Sequence, residues 1–355
     1  MNFHSLFPVL DKYTYLNTAY SGLLSVDTAE WRANHDKEFV MGASEFREKS
    51  ARIIDELRKN ISDLFVAQKE NTFLVPNFSF GFEAVLNNLN RPHRFLLLKD
   101  DYPSIIDPLA RRGFEYHEVL IDENMESNIL KKIKNYQLTV FAFSMVQYIS
   151  GFRMDDRFLQ KLKEENPDML LIADGTQFLG TTNFNFSASP LDALIGSGYK
   201  WLLGGYGNGY VFLSDQLKEE INKYSKNRDK SALSDPNKNI LKPLFEPGHL
   251  DSLNFGSLNH SLNFLRTLDM DFIEKTNAEL CSAARSDFHS RGLIPDWMCA
   301  RKNRSTIINL PLDDKTIDKI NEAGILSARR GKGLRISFHF YNTFEDLNRL
   351  LEVLG

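Results

Sequence analysis

Residues 169–200 read MLLIADGTQFLGTTNFNFSASPLDALIGSGYK. Met169 to Ala173 is an apolar run that ends on Asp174, and Ala193 to Gly196 is a second, with Tyr199 and Lys200 just beyond it. Runs this short, bounded by polar residues and glycine, read as strands buried on both faces. The flanking sequence keeps the same rhythm. Strands are expected at Asn71–Val75, Phe95–Leu98, Tyr116–Leu120, Thr139–Ser144 and Tyr210–Leu213. Helices are expected at 27–41, 45–65, Phe80–Leu89, Ile105–Arg112 and Asp155–Glu165; in the second, Phe46, Ile53, Leu57, Ile61 and Leu64 recur at helical spacing. Asn77 and Ser79 both stand where a cap for the third helix belongs. Strands alternating with helices predict an α/β fold whose large sheet is mostly parallel.

Beyond Lys218 the composition changes. Residues 222–243 are polar and lysine-rich, a candidate lid. From about residue 260 a long helix leads to a second unit. Strands are expected there at Ser305–Leu310, Gly324–Ala328 and Leu334–Phe340, with helices at Asp314–Ala323 and Thr343–Leu354. The expected division is an N-terminal segment at 1–20 near the site, a large α/β domain at 21–258 and a small α+β domain at 259–355.

The 355 residues carry 43 Lys and Arg against 47 Asp and Glu, a net −4, so a basic face for nucleic acid is not expected. Cys281 and Cys299 cannot build a disulfide framework. There is no apolar run of membrane-spanning length and no secretory leader pattern, so a cytoplasmic protein is expected. No histidine pair has metal-ligand spacing, and no G-x-S-x-G elbow is present. The cluster Gly204-Gly205-Tyr206-Gly207-Asn208-Gly209 precedes a strand, whereas a dinucleotide loop follows one; it reads as a turn.

Ligands of open α/β sheets bind beyond the carboxyl ends of the strands. Ser79, Tyr102, Asp174, Gln177, Ser197 and Lys200 all fall at such ends. Singly, each has an ordinary reading: Asp174 as a chain-turning cap, Lys200 as a surface charge, Asn77 to Gly81 as a plain helix start. Together they meet one chemical need. A partly buried lysine loses its proton readily and can form a Schiff base. An aldehyde cofactor with a pyridine ring needs that lysine, an acid for its ring nitrogen, and a helix N-terminus for its phosphate. Arg335 lies in the apolar strand Gly-Leu-Arg-Ile-Ser and is suited either to a substrate carboxylate or to a structural ion pair. His339 reads as a packed or hydrogen-bonded histidine.

These pieces resemble the class V aminotransferase family of pyridoxal-phosphate (PLP) enzymes, which includes cysteine desulfurases, selenocysteine lyases and isopenicillin N epimerases. The resemblance rests on YLNTA at 15–19, DYPS at 101–104, ADGTQ at 173–177, SGYK at 197–200, NFGSLN at 254–259, LRIS at 334–337 and YNT at 341–343. It implies fold type I, a homodimer and an amino acid or amine substrate. Lys200 would carry the Schiff base and move the substrate's α-proton. Asp174 would hold the ring nitrogen protonated, Gln177 would bond the ring hydroxyl, and Tyr102 would stack on the ring. The phosphate would take the Ser79 and Phe80 amides, with Ser197 and Tyr199 nearby. Ser257 would reach the phosphate of a neighbouring subunit. Arg335 would bind the α-carboxylate, with Asn17 and Tyr148 also at the substrate.

The departures are informative. A desulfurase needs a cysteine on the loop before the arginine strand, and residues 324–335 contain none. Cys281 and Cys299 read as packed residues. Arg329 and Arg330 read as solvated in preference to binding a second acidic group. Transamination is the first expectation, a lyase or epimerase the alternative, and a non-catalytic PLP-fold binding protein the third.

Overall fold

The computed structural model describes residues 3–89, 92–228 and 241–355. The chain enters through a short strand, β1 (Thr14–Tyr15), and two helices, α1 (Val26–Gly42) and α2 (Glu45–Leu64). A seven-stranded sheet follows from β2 (Thr72–Val75), β3 (Arg94–Leu98), β4 (Glu115–Val119), β5 (Val140–Ser144), β6 (Leu170–Asp174), β7 (Ala193–Ser197) and β8 (Gly209–Leu213). Between and after these strands lie α3 (Phe78–Asn87), α4 (Pro103–Arg112), α5 (Met125–Tyr136), α6 (Asp156–Glu165) and α7 (Asp215–Arg228). The sheet order is β2-β8-β7-β6-β5-β3-β4, and only β8 runs against the others. The expected α/β architecture is therefore the observed one.

Burial alternates along the central strands. Phe141, Phe143, Leu171 and Ala173 pack into a core on one face, while Val140, Ala142, Leu170 and Ile172 pack into a second core on the other. The period-2 geometry of a strand sends neighbours to opposite faces, so a sheet covered on both sides needs unbroken apolar runs. Helix α3 lies close on this sheet because Gly81 has no side chain; a Cβ there would meet Ile195 and Val211 at 2.8 Å.

The C-terminal half contains α8 (Leu241–Phe245), α9 (Ser252–Leu268), α10 (Met270–Ser290), α11 (Asp296–Cys299), β9 (Ile307–Leu310) and α12 (Asp314–Glu322). Then come β10 (Ile325–Leu326), β11 (Ala328–Arg330), β12 (Gly333–Ser337) and α13 (Phe344–Leu354). β11, β12 and β9 form an antiparallel sheet, and β10 pairs with β1. Thr343 and Asp346 make a reciprocal capping box on α13.

Several expectations shift. The long helix from residue 260 is two helices, broken at Asp269, whose φ is 71°. The helices α5 and α7 were not anticipated; α5 buries only Met125, Ile129 and Ile133, a thin stripe. The strand expected to run to Phe340 stops at Ser337, because the Asn342 side chain accepts from the His339 amide and folds the chain back. The candidate lid overlaps α7 at 222–228 and α8 at 241–243; residues 229–240 lie outside the described residues. Helix α9 runs unbroken through the expected boundary at 258/259, and Leu258, Leu262 and Leu265 belong to the large-sheet core. The change of core comes within α10, where Ile273 packs with the large sheet and Leu280 and Phe288 with the small one. Among the described residues, no helix is long and apolar enough to cross a membrane.

A buried ion pair ties α2 to α8 and to the sheet edge. Arg58 donates to Glu246 through both terminal nitrogens, the longer contact 2.8 Å, and Glu246 also accepts from the Leu74 amide at 2.7 Å. Removing one charge leaves the other buried and unpaired, which costs about 3–5 kcal/mol. Glu246→Gln is expected to lower the stability of the apo protein by that order in urea titration, and Arg58→Met/Glu246→Leu to recover much of it.

Candidate active site

Asp174 is the last residue of β6 and Ser197 the last of β7, so both reach the same carboxyl edge of the sheet. Asp174 is buried, and its Oδ1 accepts from the Thr176 amide at 2.7 Å. The Thr176 hydroxyl in turn accepts from the Ser197 amide at 3.1 Å. Burial pushes the Asp174 carboxyl up to about 6, against the bonds from Thr176 and the charge of Lys200, which pull it down. Lys200 is 8% exposed; burial brings its amine down to about 8, while Asp174 raises it and Arg335 and Arg330 lower it further. Its Nζ lies 5.4 Å from the Tyr199 ring centre. The backbone here is close-packed: the Gly22 amide donates to the Tyr199 carbonyl at 2.9 Å, and a Cβ on Gly22 would overlap the Lys200 carbonyl oxygen.

Gln177 is fixed at both ends. Its Nε2 donates to the Ala19 carbonyl at 2.9 Å, and its Oε1 accepts from the Trp201 indole at 2.8 Å. One N–H of that amide is left for a ligand oxygen. His339 is fully buried behind it, its Nε2 3.1 Å from the Trp201 carbonyl, and burial takes its ring down to about 3. It is a packing residue, as its sequence context implied.

At the start of α3, Asn77 is the cap: its Oδ1 accepts from the Phe80 amide at 3.0 Å. Phe80 therefore does not offer a free amide to an anion, contrary to expectation. The Phe78 amide is taken by the Ser197 hydroxyl at 3.0 Å. Ser79 keeps its place in the first turn, where amides have no intrahelical acceptor, and its hydroxyl donates to Ser104 at 2.8 Å. Ser197 can still donate its hydroxyl hydrogen.

Ser257 corrects a second expectation. It is fully buried in α9, donates to the Leu253 carbonyl at 2.7 Å and accepts from Arg32 at 2.7 Å. A hydroxyl so enclosed by its own chain is not presented to another subunit.

Tyr102 sits at the start of α4 with its ring edge-on to Tyr148, centroids 5.3 Å apart. The Tyr148 carbonyl accepts from Arg335 Nη1 at 2.7 Å. Arg335 is 2% exposed, and among the described residues its Nε and Nη2 have no hydrogen-bond partner. Burial, then the nearby Arg330, bring its guanidinium down to about 10. A structural salt bridge is thus not its role here. Asn17, bridged to Ser337 two residues along β12, likewise has a buried Oδ1 without a partner.

Asp101 was not singled out by sequence reasoning. It is buried, accepts from the Ser144 amide and hydroxyl at 2.8 and 2.6 Å and from the Tyr102 amide at 2.8 Å, and so fixes Tyr102 beside the end of β5. No local spacing joins residue 101 to 144; only the parallel sheet does. Arg329 and Arg330 also part company. Arg329 is exposed and paired with Asp314, whereas Arg330 lies over the Tyr20 ring at 5.2 Å and influences Lys200, Tyr148 and Arg335. Arg329 fits the solvated reading; Arg330 is half-buried against the Tyr20 ring.

Among the described residues no group of three His, Cys, Asp or Glu side chains could hold a metal ion. The donor set fits PLP instead: a buried acid, a lysine of lowered basicity, a helix start with a serine hydroxyl, and an arginine with orphaned donors.

Known proteins share this fold and family. The chain is 28% identical over 206 residues to isopenicillin N epimerase of Amycolatopsis lactamdurans, a match spanning about half of each chain, 52% in both cases. It is 22% identical over 338 residues to a probable cysteine desulfurase of Ureaplasma parvum serovar 3, covering 85% of this chain and 82% of that one. Its fold is shared with the apo cysteine desulfurase of Thermococcus onnurineus NA1, at TM-score 0.81, 15% identity and coverage of 99% and 96%. It is shared too with a C-DES mutant holding glycine covalently linked to its PLP cofactor, at TM-score 0.82, 17% identity and 99% coverage of each. The profile of the family described as aminotransferase class-V matches residues 28–350. The chain belongs to the class V aminotransferases, whose cofactor is pyridoxal phosphate.

Proposed function

We propose that this protein is an aminotransferase for amino acids, with Lys200 as its proton-moving group. The observation that carries the proposal is the placement of Lys200, buried just beyond the carboxyl end of β7 beside that of β6 with its Asp174; burial lowers its amine to about 8. An amine that titrates there is both an attacking group and a proton carrier near neutral pH. Bound PLP supplies an aldehyde carbon for the lysine and a ring that withdraws electrons from the substrate. Asp174 would hold the proton on the ring nitrogen, Gln177 would donate to the ring oxygen, and Tyr102 would cover the ring, with Asp101 positioning it. Ser79 and Ser197 receive the phosphate at the start of α3, with Tyr199 alongside. Arg335 would take the substrate carboxylate next to Tyr148, with the Asn17 side-chain N–H as a further donor. Lys200, as a free amine, would remove the substrate's α-proton and return one.

Persulfide chemistry has no support. Residues 324–335 lack cysteine, and burial pushes the Cys281 thiol up to about 12. The match to an isopenicillin N epimerase favours a second reading, an epimerase or lyase using the same lysine. The purified holoprotein, given an amino-acid panel with and without pyruvate or 2-oxoglutarate, separates them. Turnover that requires the keto acid supports transfer; turnover without it supports the second reading. A homodimer in the cytoplasm completes the proposal, and sedimentation tests the dimer.

Arg335→Met provides a further check. A charge-assisted bidentate bond contributes about 2 kcal/mol or more, so KM for the amino acid is expected to rise about thirtyfold or more. Folding stability should not fall, because the guanidinium is buried with two unmet donors.

A further inference from the structure

We propose that Arg330 is a second carboxylate receptor of this site and that the substrate is an amino acid with an acidic side chain. The inference rests on the aminotransferase reading and deepens it. Its basis is the register of the small sheet. Ala328 pairs with Arg335 and Arg330 with Gly333, so Arg330 and Arg335 project from one face as diagonal neighbours. Such neighbours have Cβ atoms roughly 7–8 Å apart, a span that two long side chains can close onto a short dicarboxylate. Arg329 falls on the opposite face and finds Asp314 and Asp318 on α12.

Arg330 has no such partner. Among the described residues no carboxylate lies within ion-pair distance of it; its Nη1 donates to the Arg329 carbonyl at 2.8 Å, and its guanidinium lies over the Tyr20 ring. A guanidinium held by its face keeps its edge donors for a planar anion. The strand is also braced: Asn309 Nδ2 donates to the Arg330 carbonyl at 3.0 Å and to the Ile149 carbonyl at 3.1 Å, tying the hairpin to the turn that carries Tyr148. Tyr20 is 54% exposed, so the receptor opens at the rim, where a side-chain carboxylate can reach. Of the three cations gathered here, Lys200 serves the cofactor and Arg335 the α-carboxylate. Arg330 is the one left for a second acid.

Succinate and butyrate test this directly, since neither has an amine to react with the cofactor. Calorimetry on the PLP-reconstituted protein should show succinate binding about tenfold or more tighter than butyrate. Arg330→Gln should abolish that preference while butyrate affinity holds, and Arg329→Gln should preserve the preference. Equal binding of the two acids by wild type, or equal losses in Arg330→Gln, overturns the proposal. Borohydride reduction of the same preparation keeps the two levels apart. A cofactor fixed on Lys200 with no dicarboxylate preference sinks only the substrate assignment; no fixed cofactor sinks the aminotransferase reading and this inference with it.

Discussion

Lys200→Ala is expected to abolish covalent attachment of PLP and to lower turnover by on the order of 10⁴ or more, because in the proposed function one group supplies both the bond to the cofactor and the proton transfer. The attaching species is the neutral amine. At pH 7 an amine titrating at about 8 is neutral in about one molecule in ten, against about one in three thousand at the ordinary 10.5. Covalent attachment to apo protein should therefore accelerate with rising pH and level off above about 8. Removing Arg335 or Arg330 should move that midpoint upward, since both cations depress it. The measurement is the visible Schiff-base band, fixed by borohydride and mapped to a peptide. Asp174, Ser79 and Ser197 remain in the alanine variant, so non-covalent PLP binding is expected to persist. A reduced adduct of unchanged yield in Lys200→Ala would place the anchor on another residue. Folding should survive the change, because the buried amine titrates lower in the native state than in the unfolded chain. That difference opposes folding at neutral pH and fades as pH rises from about 8 toward 10.5.

The large sheet was legible because each central strand is a short apolar run ending on a polar residue. Asp174 ends β6 and Ser197 ends β7, and the parallel order of the sheet brings those ends together. What escaped the sequence was every relation set by tertiary packing. Asp101 meets Ser144 only across β3 and β5. Phe80 was expected to offer its amide to a phosphate, yet the helix begins two residues earlier and Asn77 claims that amide. Ser257 sits in a segment that resembles a subunit-bridging piece, but its position within α9 faces Arg32 of its own chain. Arg329 and Arg330 are adjacent and chemically equal in sequence. Only the pairing register of β11 with β12 sends one to α12 and the other to the site. The helix α5 is a miss of another kind: Met125, Ile129 and Ile133 recur at a helical four-residue spacing, so its buried stripe was legible in the sequence.

Asp174→Asn carries the second-largest expected effect and separates two readings of one residue. As a chain-turning cap, Asp174 needs only an acceptor for the Thr176 amide, and asparagine keeps that oxygen. As the partner of a protonated ring nitrogen it needs a negative charge, which asparagine lacks. Loss of one preorganised electrostatic partner lowers rates by about 10²–10³, and kcat is expected to fall by that order while the cofactor stays attached at Lys200. Two further readouts follow from the charge. Asp174 raises the Lys200 amine, so the pH midpoint for attachment should drop below about 8 in the variant. The Asp174 carboxyl itself lies at about 6 instead of 3.8 because it is buried. The native apo protein thus binds more protons than the unfolded chain across that interval. This contribution weakens the apo fold as pH rises from about 4 to 6, and the penalty persists at neutral pH. Asparagine removes it, so apo Asp174→Asn should unfold at higher urea than wild type at pH 7, though it is the poorer catalyst. That opposition of stability and rate is what a charge kept for chemistry produces. A variant with wild-type turnover and an unchanged urea midpoint would return Asp174 to the capping role.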